Sequence, residues 1–164
     1  MNSKRTSLDR TSDREIVITR SFRAPASIVF DAYTIAENVR RWWAPKSRGV
    51  SLLECDVDLR AGGAYRYVLG RDGGAFAFFG KYVEVERPNR VVYTQGFEPK
   101  IGEPMPGEAV VTVTFEEKDG TTTLVARELY PSKEVLDGVL ATGMEEGMRE
   151  TFEQLDALIA EKAG

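Results

Sequence analysis

The sequence predicts an α+β protein: a curved antiparallel sheet of about six strands around one long C-terminal helix, with two short helices after the first strand. Three observations carry this. Between residues 50 and 130 short runs of alternating apolar and polar side chains are separated by turn residues, including Lys118-Asp119-Gly120. The last 33 residues, from Ser132, repeat apolar side chains at spacings of three and four. A β-branched run at Glu15–Phe22 stands apart, ahead of two helical segments.

The start, MNSKRTSLDRTSDR, is polar and reads as a disordered tail over residues 1–13, followed by a single domain over 14–164. In EIVITRSF, Ile16, Ile18, Arg20 and Phe22 share one face of a strand. APASIVFDAYT reads as a helix that tolerates Pro25 in its first turn, with Ile28, Val29, Ala32 and Tyr33 as its apolar face. A second short helix over Glu37–Trp42 must stop before Pro45, because the residue preceding proline is pushed out of the helical region.

Strands follow at VSLLECDV, AYRYVL, AFAFFGKYVEVE, RVVYTQGF, EAVVTVTFEE and TTTLVAREL. Gly80 interrupts the third of these and suggests a bulge or bend. Consecutive strands with short turns form a meander, and Glu15–Phe22 can join the sheet beside the last strand. Ser132 is placed to cap the terminal helix, whose apolar stripe includes Leu136, Leu140, Met144, Met148, Phe152 and Leu155. Gly143 and Gly147 share a face of that helix at a cost of about 1 kcal/mol each relative to Ala. They mark either a close approach of the backbone to sheet or ligand, or a kink or tolerated surface position.

Composition narrows the chemistry. With 164 residues, 42% apolar and 29% charged, the chain suits one domain with its own core. A net charge of −4 argues against a nucleic-acid partner. No apolar run approaches the roughly 20 residues of a spanning helix, and the N-terminus lacks a signal-peptide core, so a cytoplasmic protein without membrane insertion is expected. There is no histidine and one cysteine, Cys55, which excludes an internal disulfide, a histidine-ligated zinc and a Ser-His-Asp triad. Any catalysis would use Asp, Glu, Lys, Arg, Tyr or a lone Cys, and an enzyme is disfavoured. No cofactor or metal is expected.

The segments FRAPASIVFDAYT, RRWWAP, DLRAGGAYRYV, GKYVEVERPNRVVYT and YPSKEVLDGVLATGMEEGMRETFEQLDALI, in that order, resemble the activator of heat-shock protein 90 ATPase homologue 1-like family of the START-like (SRPBCC) superfamily. The resemblance covers about residues 14 to 162. It implies a helix-grip fold, with a curved antiparallel sheet gripping the long helix around a deep hydrophobic cavity. Two departures stand out: Met148 follows Gly147 where many relatives have tryptophan, and Ala61 replaces proline before Gly62-Gly63. The eukaryotic activators carry a separate chaperone-binding domain missing from this chain, so a chaperone contact does not transfer from the resemblance.

The adjacent tryptophans fall where the short helices cross the open end of the grip. One is expected to plug the core and the other to edge the pocket; the alternative is that both are packing residues. Tyr65 and Tyr67 share a strand face, concave if they line the pocket and convex if they do not. Glu128 has the parity of Leu124 and Ala126, with Arg20 as its candidate partner; alternatively both reach solvent at strand ends. Cys55 reads as a small buried hydrophobe. The expected function is binding of a small hydrophobic ligand, lipid-like or aromatic. Its candidate lining is Trp42, Trp43, Tyr65, Tyr67, Phe79 and Phe97 from the strand half, with Glu128, Met144, Met148 and Phe152 completing it. The competing readings are a cyclase, dehydratase or hydrolase with Glu128 as its speculative catalytic group, and a chaperone-accessory interaction module. A homodimer stays open.

Overall fold

A computed structural model describes residues 6–164. One antiparallel sheet runs in the order β1-β2-β8-β7-β6-β5-β4-β3, formed by β1 (Ser7–Arg10), β2 (Glu15–Phe22), β3 (Ser51–Val57), β4 (Ala64–Arg71), β5 (Gly74–Glu86), β6 (Arg90–Glu98), β7 (Ala109–Lys118) and β8 (Thr121–Leu129). Helices α1 (Ala26–Thr34) and α2 (Ala36–Trp42) bridge β2 and β3, and α3 (Lys133–Ala141) and α4 (Met144–Ala163) end the chain. As expected, β2 joins the sheet beside β8, with Ile18 opposite Ala126 and Arg20 opposite Leu124.

The sheet has eight strands rather than about six. Every segment with strand character pairs, and Ser7–Arg10 adds one more where a tail was expected, with Leu8 opposite Ile18. SLDR offers one apolar side chain, so alternation cannot reveal it; backbone bonding to the free edge of β2 supplies the strand. Residues 1–5 of the expected tail lie outside the described residues.

The single long helix is also corrected. It divides at Thr142-Gly143, where Gly143 takes φ +80°, a left-handed conformation that glycine adopts without steric cost and that ends α3. The apolar spacing continues across the break, which is why periodicity alone reads one helix. Ser132 caps α3 by accepting from the Val135 N–H at 3.2 Å. Gly147 lies inside α4, where an added Cβ would come no nearer than 3.9 Å to Pro45.

Two clusters fill the concave side. The larger joins Phe22, Val29, Phe30, Trp42, Val113, Phe115, Leu124 and Leu155, while α3 closes a smaller one around Ile16, Ala109, Tyr130 and Leu136. Arg20 is 1% exposed on the concave face of β2. Its Nη1 donates to Glu153 Oε2 at 2.8 Å and to Thr6 Oγ1 at 2.9 Å, and its Nη2 lies 3.6 Å from Asp156 Oδ2. These contacts tie β2 to α4.

At Gly80 the chain is too crowded for any side chain. Pairing of β5 with β6 skips Gly80 and Lys81 and shifts register between Tyr82 and Glu84. The Tyr65 hydroxyl donates to the Thr94 carbonyl at 2.7 Å, while the Lys81 N–H turns to Thr94 Oγ1. The bulge suggested by Gly80 therefore lies just beyond it. A Cβ at position 80 would sit 1.9 Å from the Thr94 carbonyl oxygen and 2.9 Å from the Tyr65 ring. Gly80→Ala should lower unfolding free energy by about 3 kcal/mol or more in urea denaturation, beyond the usual overpacking cost; an unchanged midpoint would show that the strands here readily part.

Candidate functional site

The concave faces of β4, β5 and β6 carry ring upon ring. Register places Tyr67 opposite Phe78, Phe78 opposite Phe97 and Tyr82 opposite Tyr93, and directly opposed residues share a face. Tyr65 has ring centroids of Tyr67, Tyr82 and Tyr93 at 5.1, 5.5 and 5.6 Å. Tyr33 of α1 closes the group from the helical side, its hydroxyl 3.0 Å from that of Tyr93. Five of the six tyrosines thus line one cavity, with Thr34, Trp43, Val91 and Gln95. The space open to the centre of a water-sized sphere is about 10 Å³, room for roughly one water.

Trp43 forms one wall of the cavity. It is half-buried, with its ring 4.8 Å from Tyr67 and 5.0 Å from Phe78. It stands on the irregular stretch that Pro45 imposes after α2, and this stretch is fastened to α4 by polar bonds. Gln154 donates to the carbonyls of Trp42 at 2.9 Å and Ala44 at 2.8 Å and accepts from the Lys46 N–H. Glu150 accepts from the Ser47 N–H and hydroxyl, each at 2.7 Å.

Trp42 points the other way. It is 2% exposed, its indole N–H donates to the Ala32 carbonyl at 2.8 Å, and Phe152 meets it edge-on at 6.0 Å. Of the residues singled out in the sequence, Trp43, Tyr65 and Tyr67 come together at the cavity. Phe97 stacks on Phe78 at 4.9 Å, just outside the lining. Trp42 and Phe152 belong to the core, Met148 packs beside that core, and Met144 packs on the smaller cluster.

Phe79 lies on the convex face, opposite Arg66 and Gly96; its ring occupies the place of a Gly96 side chain, 2.4 Å from where that Cβ would be. The neighbouring Phe78 takes the concave position. Tyr33, Tyr82 and Tyr93 were missed as lining residues. Their parity with Phe78 and Val91 was readable for the two strand tyrosines, whereas the reach of Tyr33 depends on how α1 crosses the sheet.

Burial raises the phenol pKa at Tyr33, Tyr65, Tyr67 and Tyr93, and pushes Tyr82 up to about 12 against a hydrogen bond from Tyr67. The tyrosines are therefore neutral hydrogen-bonding groups at physiological pH, unsuited to act as phenolate bases. Burial likewise pushes the Cys55 thiol up to about 11, which leaves it unreactive.

Glu128 faces inward with Ala126 and Leu124, as its parity suggests, but Arg20 is not its partner. Arg20 is committed to α4, and Glu128 instead accepts a 2.6 Å hydrogen bond from the Tyr130 hydroxyl. Burial raises the Glu128 pKa while that bond lowers it, and burial dominates. A carboxyl raised in the folded state contributes stability below its unfolded pKa and loses it as pH rises through the folded value. Glu128→Gln, which keeps an acceptor for Tyr130, should accordingly raise the melting temperature more at pH 7 than at pH 4; an equal change at both would show that the carboxylate is well solvated.

Among the described residues no helix is long and apolar enough to cross a membrane, and no group of three or more His, Cys, Asp or Glu is placed to hold a metal ion.

Solved structures with the same architecture include a protein of Rhodobacter sphaeroides, 25% identical with a TM-score of 0.83, covering 94% of this chain and 98% of its own. A protein of Mycobacterium smegmatis is 29% identical with a TM-score of 0.81, covering 93% of this chain and 95% of its own. One of Staphylococcus epidermidis is 28% identical with a TM-score of 0.79, covering 96% of each chain. Comparison with curated proteins found no match. The architecture is the START-like helix grip implied by the sequence resemblance. Residues 23–160 match the family described as Activator of Hsp90 ATPase homolog 1-like protein, and the chain belongs to that family.

Proposed function

We propose that the protein binds a small organic molecule, aromatic rather than lipid-like, in the tyrosine-lined cavity between sheet and helices. The observation that carries this reading is the convergence of Tyr33, Tyr65, Tyr67, Tyr82, Tyr93 and Trp43 on one void. Rings with hydroxyls stack on a planar ligand and exchange hydrogen bonds with its substituents. An alkyl chain threaded among them would separate Tyr33 from Tyr93 without replacing their hydrogen bond.

At its present volume the void admits only water, so binding requires Trp43 to swing outward. Its half-exposed position on an irregular segment makes it the wall that moves at least cost. The protonated state of the tyrosines favours binding over general-base chemistry. The exposed apolar side chains support a docking face only weakly: Val110 and Leu129 are neighbours across β7 and β8, whereas Leu53 is on an edge strand, Val83 on β5, Ile35 between α1 and α2, and Ile101 and Met105 on the loop before β7.

Native mass spectrometry of gently purified protein should show a dissociable small molecule beyond the polypeptide mass. Trp43→Ala should weaken its retention at least about tenfold, equivalent to roughly 1.4 kcal/mol. Retention unaffected by this substitution would place any bound molecule elsewhere.

A further inference from the structure

The cavity also has a charge character, set by what lies around its lining. Register aligns Glu128 with Val111, Val111 with Tyr93 and Tyr93 with Tyr82, one row across the concave faces of β8, β7, β6 and β5. Strands lie about 4.8 Å apart, so Glu128 is roughly 10 Å along this row from Tyr93, with only a valine between them. The charge of Glu128 acts on Tyr33, Tyr65 and Tyr93, and that of Glu108 acts on Tyr65.

No positive side chain balances them within the site. The lining contains neither lysine nor arginine. The inward-facing Arg20 is drawn to Glu153 and Asp156 on α4. Among the described residues Glu128 has no ion pair, and it accepts a hydrogen bond from the neutral Tyr130 hydroxyl.

Aromatic faces, hydroxyl oxygens and an uncompensated carboxylate all present negative potential. A cation entering such a site gains from the ring faces and offsets the desolvation of a partly buried carboxylate that has no ion pair. An anion would be repelled by the same potential. We infer that the ligand of this cavity is positively charged, a small organic ammonium held among the tyrosine faces with Glu128 as its counter-charge. This rests on the cavity being a binding site and specifies what it selects.

The test compares choline with 3,3-dimethylbutan-1-ol, its uncharged isostere, by titration calorimetry and tryptophan fluorescence. Choline should bind at least about tenfold tighter, and Glu128→Gln, checked for folding by its melting transition, should abolish that preference. Equal or tighter binding of the alcohol, or a choline preference that survives in Glu128→Gln, would overturn the inference and leave the cavity reading standing. If neither probe binds while a neutral molecule co-purifies, the charge assignment fails alone. If neither probe binds and nothing co-purifies, both fail.

Discussion

The concave side of the sheet is filled with phenols, and a buried hydroxyl must be hydrogen-bonded or its burial is costly. Much of the local geometry follows from this constraint. Tyr65 meets it by donating to the Thr94 carbonyl, beside the stretch of β5 that does not pair with β6, and Gly80 provides the space for its ring to cross. Tyr33 and Tyr93 meet it through each other, which links α1 to β6. Bend, helix placement and cavity thus share one cause.

The C-terminal helix supplies the opposing constraint. Its inward face, including Phe152, Leu155, Leu158 and Ile159, is buried, while its polar side chains position what surrounds the cavity. Glu153 and Asp156 hold Arg20, Gln154 and Glu150 hold the chain after Trp43, and Glu161 receives two hydrogen bonds from Arg41 at 2.9 Å. Because Gln154 bonds to the backbone on both sides of Trp43, the indole has a defined resting place without being locked into the core. A wall fixed at its base, with its ring only half-buried against Tyr67 and Phe78, suits a cavity that is closed when empty.

Much of the fold was legible because alternation and helical spacing report directly on which face is buried. Ile16, Ile18 and Phe22 on β2, and the apolar stripe through Leu155, were readable in that way. Ser7–Arg10 was not, since a strand made by edge pairing leaves little trace in a polar tetrapeptide. The break at Gly143 was hidden because the apolar spacing persists across a one-residue change of backbone conformation. At the site, parity grouped Tyr65 with Tyr67 and Glu128 with Leu124 and Ala126, but left open whether each group faces the cavity and could not show that Arg20 turns to α4, a choice made by side-chain reach. The separate fates of Trp42 and Trp43 follow from the end of α2: the last helical residue faces the core, and the next falls where the helix stops.

The central claim is that the tyrosine-lined space opens to admit a small molecule. The most direct measurement is the carbon-13 spectrum of ring-labelled tyrosine, recorded while titrating the molecule retained on purification or, without one, phenethylamine. The account predicts that Tyr33, Tyr65, Tyr67, Tyr82 and Tyr93 shift together along a single saturation curve. Saturable binding that left all five unmoved would contradict it.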